Sequence, residues 1–365
     1  MLNFLKQKGK PGDRWIFIIP VVLGIFGLLM IFDASYVAAT RDFNDRFYYL
    51  KAQSLWFTVG FFLMLVFSRI DLKILKKTAP IAIFVSFIFL ILVLIPGVGR
   101  QIQGGRRWLD FFGFGFQPAE LVKLTLVVYL ASLFEKKREL LPFLFILALT
   151  LGLIVLEPDL GTAVIIAATA VSLYFFSGAP VRHFLLLFGL FSFIFPLVIL
   201  TSPYRKQRLM TFLNSSVDSH GSSYHLRQVL LALGSGGFWG KGLGQSRQKY
   251  LFLPEVSTDS IFAVIAEELG FIGASFLLLT ILFLVYRGTR TAYYSPDHFR
   301  QILAVGITFL FGFQALVNVS SMVSLVPMTG VPLPFISYGG SSLVIFLSSM
   351  GILYNISKDC VRVKK

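Results

Sequence analysis

The order of apolar and charged positions along the chain reads as a string of membrane-length helices. Stretches free of Asp, Glu, Lys and Arg run 15–32, 52–68, 78–99, 140–156, 160–181, 184–204 and 269–286. The uncharged stretch 301–357 is long enough for two helices around the Pro/Gly-rich break VPMTGVPLPFISYGG at 326–340. One further helix is needed near 117–134, where Glu120 and Lys123 occupy the first turns. A hydrocarbon core takes about 20 apolar residues per crossing. The pattern therefore predicts an all-α polytopic membrane protein of ten transmembrane helices, one domain over 1–365. The connection 202–259, between helices 7 and 8, is the only long one, and a loop of that length marks a functional segment. The first apolar stretch is full length and has no small-residue cleavage site, so it reads as a retained helix and not a signal peptide.

Composition agrees with the pattern. Hydrophobic residues make up 56% and charged residues 14%, against roughly 25% charged in a soluble domain. A single cysteine, Cys360, excludes a disulfide framework and a Cys-based metal site. The histidines His183, His220, His225 and His298 include no HxxxH pair, which removes the usual zinc-hydrolase ligands. The net charge of +15 suits cytoplasmic loops and anionic lipid headgroups, not nucleic acid. Basic residues gather in alternate connections, among them Arg14; Arg69, Lys73, Lys76 and Lys77; Lys136; Arg287, Arg290 and Arg300; and Lys358. That bias places both termini in the cytoplasm. No internal repeat is visible.

The external side carries the unusual material. The 202–259 connection holds Arg205, Lys206, Arg208, Arg227, Lys241, Arg247 and Lys249 against Asp218, Glu255 and Asp259. Long loops translocate whatever their charge, so this excess reads either as tolerated or as a site for an anionic group such as a lipid phosphate. Within it, YHLRQVLLALG (224–234) has the spacing of an amphipathic helix on the interface. The loop at 97–116 sets Arg100, Arg106 and Arg107 beside Trp108 and several Phe, a combination suited to a headgroup. The run GSGGFWGKGLG (234–244) is not a nucleotide loop: Ser235 stands where GxxxxGK needs Gly, and Gly242 follows Lys241. Its glycines permit close backbone approach or a cradle for another phosphate.

Ionisable residues inside or at the edge of the membrane are functional candidates. Glu120 and Lys123 share one helical face, as a locking ion pair or as part of a cavity. Glu157 and Asp159 flank Pro158 at an external hairpin, where Asp159 reads equally as a helix cap. Ser257, Thr258 or Asp259 could cap the next helix. Glu267 lies about 80° round that helix from Asp259. With Glu268 beside it and no Arg or Lys over 251–286, the three carboxylates point to a raised pKa or a bound cation.

The chain resembles the SEDS proteins, the FtsW and RodA group of peptidoglycan glycosyltransferases. The resemblance runs from first helix to last and is carried by five motifs in family order. These are GGRRWLDF (104–111) followed by QPAELVKL (117–124); EPDLGTA (157–163); YHLRQVLLALGSGGFWGKGLG (224–244); LPEVSTDSIFAVIAEELGFIG (253–273); and TGVPLPFISYGGSS (329–342). It implies ten helices, cytoplasmic termini and polymerisation of lipid II into glycan strands on the outer face of the bacterial cytoplasmic membrane. The implied partners are a class B penicillin-binding protein and the membrane proteins of the divisome or elongasome. Asp259 matches the family's essential acid, as general base or as ligand of a divalent cation, Mg or Mn. Glu120 and Lys123 match its cavity pair and Asp159 the acid of its PDLGT motif. Arg106, Arg107, Trp108, Lys241, Lys249 and Glu255 complete the expected substrate site. Ser257 and Ser260 stand where the family has His and Phe, and Glu157 where Gln is common. The link 240–255 looks more like the FtsW branch. Two other readings stay open, a lipid II flippase and a non-catalytic activator of the penicillin-binding partner.

Overall fold

The computed structural model describes residues 11–102, 105–111, 114–136, 139–213, 222–250 and 254–360. Parts of the predicted external loop, at 214–221 and 251–253, and the chain ends fall outside them. The described residues form twelve helices and one small sheet. The helices are α1 (Arg14–Phe43), α2 (Tyr48–Phe67), α3 (Leu72–Leu94), α4 (Pro118–Lys136), α5 (Leu140–Leu156), α6 (Leu160–Phe176), α7 (Val181–Leu200), α8 (Pro203–Leu213), α9 (Ser222–Ser235), α10 (Ile261–Tyr293), α11 (His298–Met322) and α12 (Gly340–Lys358). Seven of them, α1, α2, α3, α7, α10, α11 and α12, are long and apolar enough to cross a membrane. The 17-residue apolar helices α5 and α6 and the 19-residue α4 stand beside these. The protein is a polytopic membrane protein, and the count of ten needs all three of those helices as well.

Where polar side chains interrupt an apolar helix, the packing explains them. In α12, 83% of the spanning window is buried, although the helix carries Ser341, Ser342, Ser348 and Ser349. Ser348 and Ser349 donate to the carbonyls one turn back, so their hydroxyls need no other partner. Small residues let helices approach in lipid: a Cβ at Gly351 would lie 2.4 Å from the Met64 carbonyl of α2. At the other extreme, only 6% of the α7 window is buried. Its exposed Phe188, Phe193 and Leu185 suit a lipid-facing helix.

Asp13 caps α1, its backbone N–H reaches Ser357 Oγ in α12, and its carboxylate accepts from Arg287 Nε at 2.6 Å. The start of α1, the end of α12 and the last turns of α10 thus meet at one pole. Asp259, just before α10, belongs to the opposite pole.

One expectation is corrected here. The segment 97–116, read as a loop, is a three-stranded antiparallel sheet: β1 (Gly99–Ile102), β2 (Gly105–Phe111) and β3 (Phe114–Phe116), in that order. The helix read at 224–234 is present as α9, which buries Leu226, Val229 and Ala232 while Leu230 and Leu231 face out. Its His225 Nε2 lies 2.8 Å from Ser260 Oγ at the start of α10.

Candidate functional site

At the pole opposite the termini, Asp259 is 8% exposed. It caps nothing: the N-cap position of α10 is Ser260, whose side chain makes no capping bond, and Thr258 Oγ1 donates to Glu255 Oε2 (2.9 Å) and contacts Asp259 Oδ1 (3.2 Å). Burial first, then the Glu255 charge, push the Asp259 carboxyl up to about 6, while Arg208 pulls the other way. Asn318 of α11 fixes the backbone, donating through Nδ2 to the carbonyls of Asp259 (2.9 Å) and Val331 (2.8 Å). Arg208 of α8 donates to the Met328 carbonyl. The Pro/Gly-rich segment 323–339 therefore forms a wall beside the acid, and a Cβ at Gly330 would stand 3.9 Å from Asp259 Oδ2.

The same wall is held from below by the α4 pair. Lys123 Nζ lies 2.7 Å from Glu120 Oε2 and donates to Gln314 Oε1, and both charged side chains are buried. Gln314 in turn donates to the Pro332 carbonyl and Ser342 Oγ. Glu120 and Lys123 thus connect to Asp259 through α11 and the 323–339 wall. A buried pair of this kind is costly to break, because removing one partner leaves the other charge unpaired.

Asp159 does cap α6, accepting from the Thr162 N–H and hydroxyl, and it also accepts from Gln117 Nε2 at 3.3 Å. Arg107 of β2 braces the same hairpin through the carbonyls of Glu157 (2.9 Å) and Pro158 (2.5 Å). Its guanidinium is committed to the backbone, whereas Arg106 and Trp108 on the same strand remain half-exposed. Glu157 is fully buried, and neither of its carboxyl oxygens has a hydrogen-bond partner. Burial and the neighbouring Asp159 raise its carboxyl to about 9. A proton held only by the folded state stabilises it fully below the ordinary carboxyl value, and that stabilisation is lost as pH climbs towards about 9. Glu157→Gln should therefore flatten the decline in melting temperature between about pH 5 and about pH 9. An unchanged slope would mean that the folded protein carries Glu157 ionised.

The three carboxylates of 259–268 do not form one site. α10 is broken at Gly270 (φ 67°), and the Gly-rich loop splints the break. Lys241 and Gly242 donate their N–H groups to the freed carbonyls of Glu267 and Glu268 (both 3.0 Å). Phe271 and Ile272 donate theirs to Gly237 and Phe238. A Cβ at Gly240 would stand 2.1 Å from the Glu268 carbonyl, which is why a side chain is excluded there. The loop read as a turn or a phosphate cradle is therefore a backbone splint, with the N–H groups of Gly240, Lys241, Gly242 and Gly244 engaged. The acids themselves are paired: Glu267 with Lys241 (2.6 Å) and Ser246 Oγ (2.5 Å), Glu268 with Lys249 (3.1 Å). Lys249 also reaches Asp33 of α1 at 2.8 Å. Burial works against its charge, but the bonds to Asp33 and Glu268 outweigh it and raise the pKa. Of the two lysines expected at the substrate, Lys249 is buried between Asp33 and Glu268, whereas Lys241 is exposed and pairs with Glu267. Among the described residues no three His, Cys, Asp or Glu side chains gather to hold a metal.

Asp33, Ser246, Gln314 and Asn318 were not singled out in the sequence, and Arg208 appeared only among the loop's bases. Asp33 had one signal, as the charge that ends the first apolar stretch.

Residues 13–361 match the family described as "Cell cycle protein", FTSW_RODA_SPOVE. The probable peptidoglycan glycosyltransferase FtsW of Trichlorobacter lovleyi is 40% identical over 368 residues, covering 98% of this chain and 96% of that protein. Stage V sporulation protein E of Bacillus subtilis is 38% identical, covering 96% and 98%. A structure described as "Structural coordination of polymerization and crosslinking by a peptidoglycan synthase complex" superposes with a TM-score of 0.78 at 26% identity, covering 95% of this chain and 98% of that one. The rod shape determining protein RodA of Thermus thermophilus gives 0.70 at 27% identity, covering 97% and 98%. Helix order, the polar pole around Asp259 and similarity along nearly the whole length converge, and the chain belongs to the FtsW/RodA/SpoVE family, the SEDS proteins, with an FtsW-like sequence.

Proposed function

We propose that this protein is a peptidoglycan glycosyltransferase that polymerises lipid II into glycan strands on the outer face of the bacterial cytoplasmic membrane. In this reading the chain crosses ten times, with α4, α5 and α6 completing the set and both termini in the cytoplasm. The observation that carries it is Asp259: a buried carboxylate at the pole opposite the termini, unused as a cap and backed by Glu255. The names of the curated relatives support the reaction class.

The attacking sugar hydroxyl forms a bond to the anomeric carbon of the second lipid II as the bond from that carbon to pyrophosphate breaks. Asp259 takes the hydroxyl proton, and a carboxyl near 6 is matched to that task at neutral pH. Arg208 and the half-exposed Arg106 supply positive charge for the departing pyrophosphate. Lys123, Asp159 and Arg107 act as positioning residues by holding the walls. The similarity to a peptidoglycan synthase complex supports a class B penicillin-binding protein as partner.

The test is polymerisation of purified lipid II by the protein alone and with a cognate class B penicillin-binding protein. Glycan strands are the expected product. Lipid II translocation in liposomes without strand formation under either condition would replace this reading by a flippase.

A further inference from the structure

At the pole that carries the termini, the last turns of α10, the start of α11 and the end of α6 enclose an open groove of about 690 Å³. Its floor is apolar, from Phe176, Val305 and Phe309, and its mouth holds Arg290 with Tyr286 and Tyr293. The neighbouring cations on these elements are spoken for. Arg287 pairs with Asp13, and Arg300 pairs with Asp297 and Asp359. Among the described residues no carboxylate pairs with exposed Arg290; its guanidinium lies only over the Tyr294 ring, 5.8 Å from the centroid. A cation left over beside phenols, above a greasy slot of ligand-sized volume, complements one ligand chemistry. We propose that this groove binds an anionic phospholipid of the adjoining leaflet. The phosphate sits against Arg290 with the tyrosine hydroxyls as donors, and an acyl chain lies along Phe176 and Phe309. The groove is at the opposite pole from Asp259, so the site is separate from the proposed polymerase chemistry and does not depend on it.

Aromatic belts and scattered basic residues occur on most membrane proteins, so the test must separate the groove from general surface charge. The full-length protein would be reconstituted in vesicles of equal phosphatidylglycerol and phosphatidylcholine, extracted, and examined for retained lipid by native mass spectrometry. Wild type is expected to retain phosphatidylglycerol in preference. Arg290→Gln should cut that preference roughly tenfold, the scale of one charge-assisted hydrogen bond, with the melting temperature in detergent unchanged. Arg14→Gln, an exposed cation at the same pole, should change nothing. Phe309→Trp, which narrows the slot, should lower retention while Arg290 remains in place. Equal loss in Arg290→Gln and Arg14→Gln, or equal retention of the two lipids by wild type, would overturn the proposal.

Discussion

Asp259→Asn should yield a protein that folds and melts higher than wild type yet polymerises lipid II roughly 10²- to 10⁴-fold more slowly, the range expected for losing a general base. The two effects share one cause. Burial and Glu255 raise the carboxyl from 3.8 to about 6, so its proton stabilises the fold fully below about 3.8 and that gain is gone once pH passes about 6. Above that value the fold carries a buried charge at a cost of about 3 kcal/mol. Asn removes the cost along with the base. The wild-type rate should climb as pH rises through about 6, because only the ionised form accepts a proton. Thermal unfolding in detergent and a strand-length assay over that range check both limbs. Full activity in Asp259→Asn, or a rate that falls across the same interval, would remove Asp259 from the chemistry.

Lys249→Met should be the most damaging single change to stability away from the acid. Its ammonium, 2% exposed as a residue, lies between Asp33 and Glu268. Without it the fully buried Glu268 carboxylate confronts that of Asp33, itself 21% exposed, with no cation between them. Breaking a buried pair from one side costs about 3–5 kcal/mol. The double variant Lys249→Met/Glu268→Gln should lose less than the sum of the single losses, because it removes one of the stranded charges. Chemical denaturation of the four proteins in one detergent would show this. A loss below about 1 kcal/mol in Lys249→Met, the level of an exposed pair, would mean that water reaches the site.

Most of the architecture was legible because a bilayer leaves few choices. Unbroken apolar runs must be helices in lipid, and α1, α2, α3, α5, α6 and α7 fall on theirs. The start of the stretch at 269 was more telling than it looked, since it coincides with the break at Gly270 that separates the first turns of α10 from its long apolar part. What stayed hidden depends on contacts distant in sequence. The strands of four, seven and three residues are too short and Gly-rich to show an alternating pattern. The ion pairs of Lys241 and Lys249 were hidden because their acids lie 26 and 19 positions away, and Asp33 lies 216 away. Residue type alone could separate neither Arg106 from Arg107 nor a capping Asp159 from a non-capping Asp259. Both distinctions rest on which backbone groups lie within reach after packing.

The bond between Asp33 and Lys249 also sets a schedule for biogenesis. At about 5–20 residues per second, the ribosome makes Asp33 some 10–40 s before the base that neutralises it, with the eight described helices from α2 to α9 produced in between. Throughout that interval the first helix enters the membrane with an acid in its C-terminal half and without the cation that pairs with it in the finished fold. Any nascent chain halted before residue 249 carries that acid without its partner, a mark that sets an unfinished copy apart from a finished one.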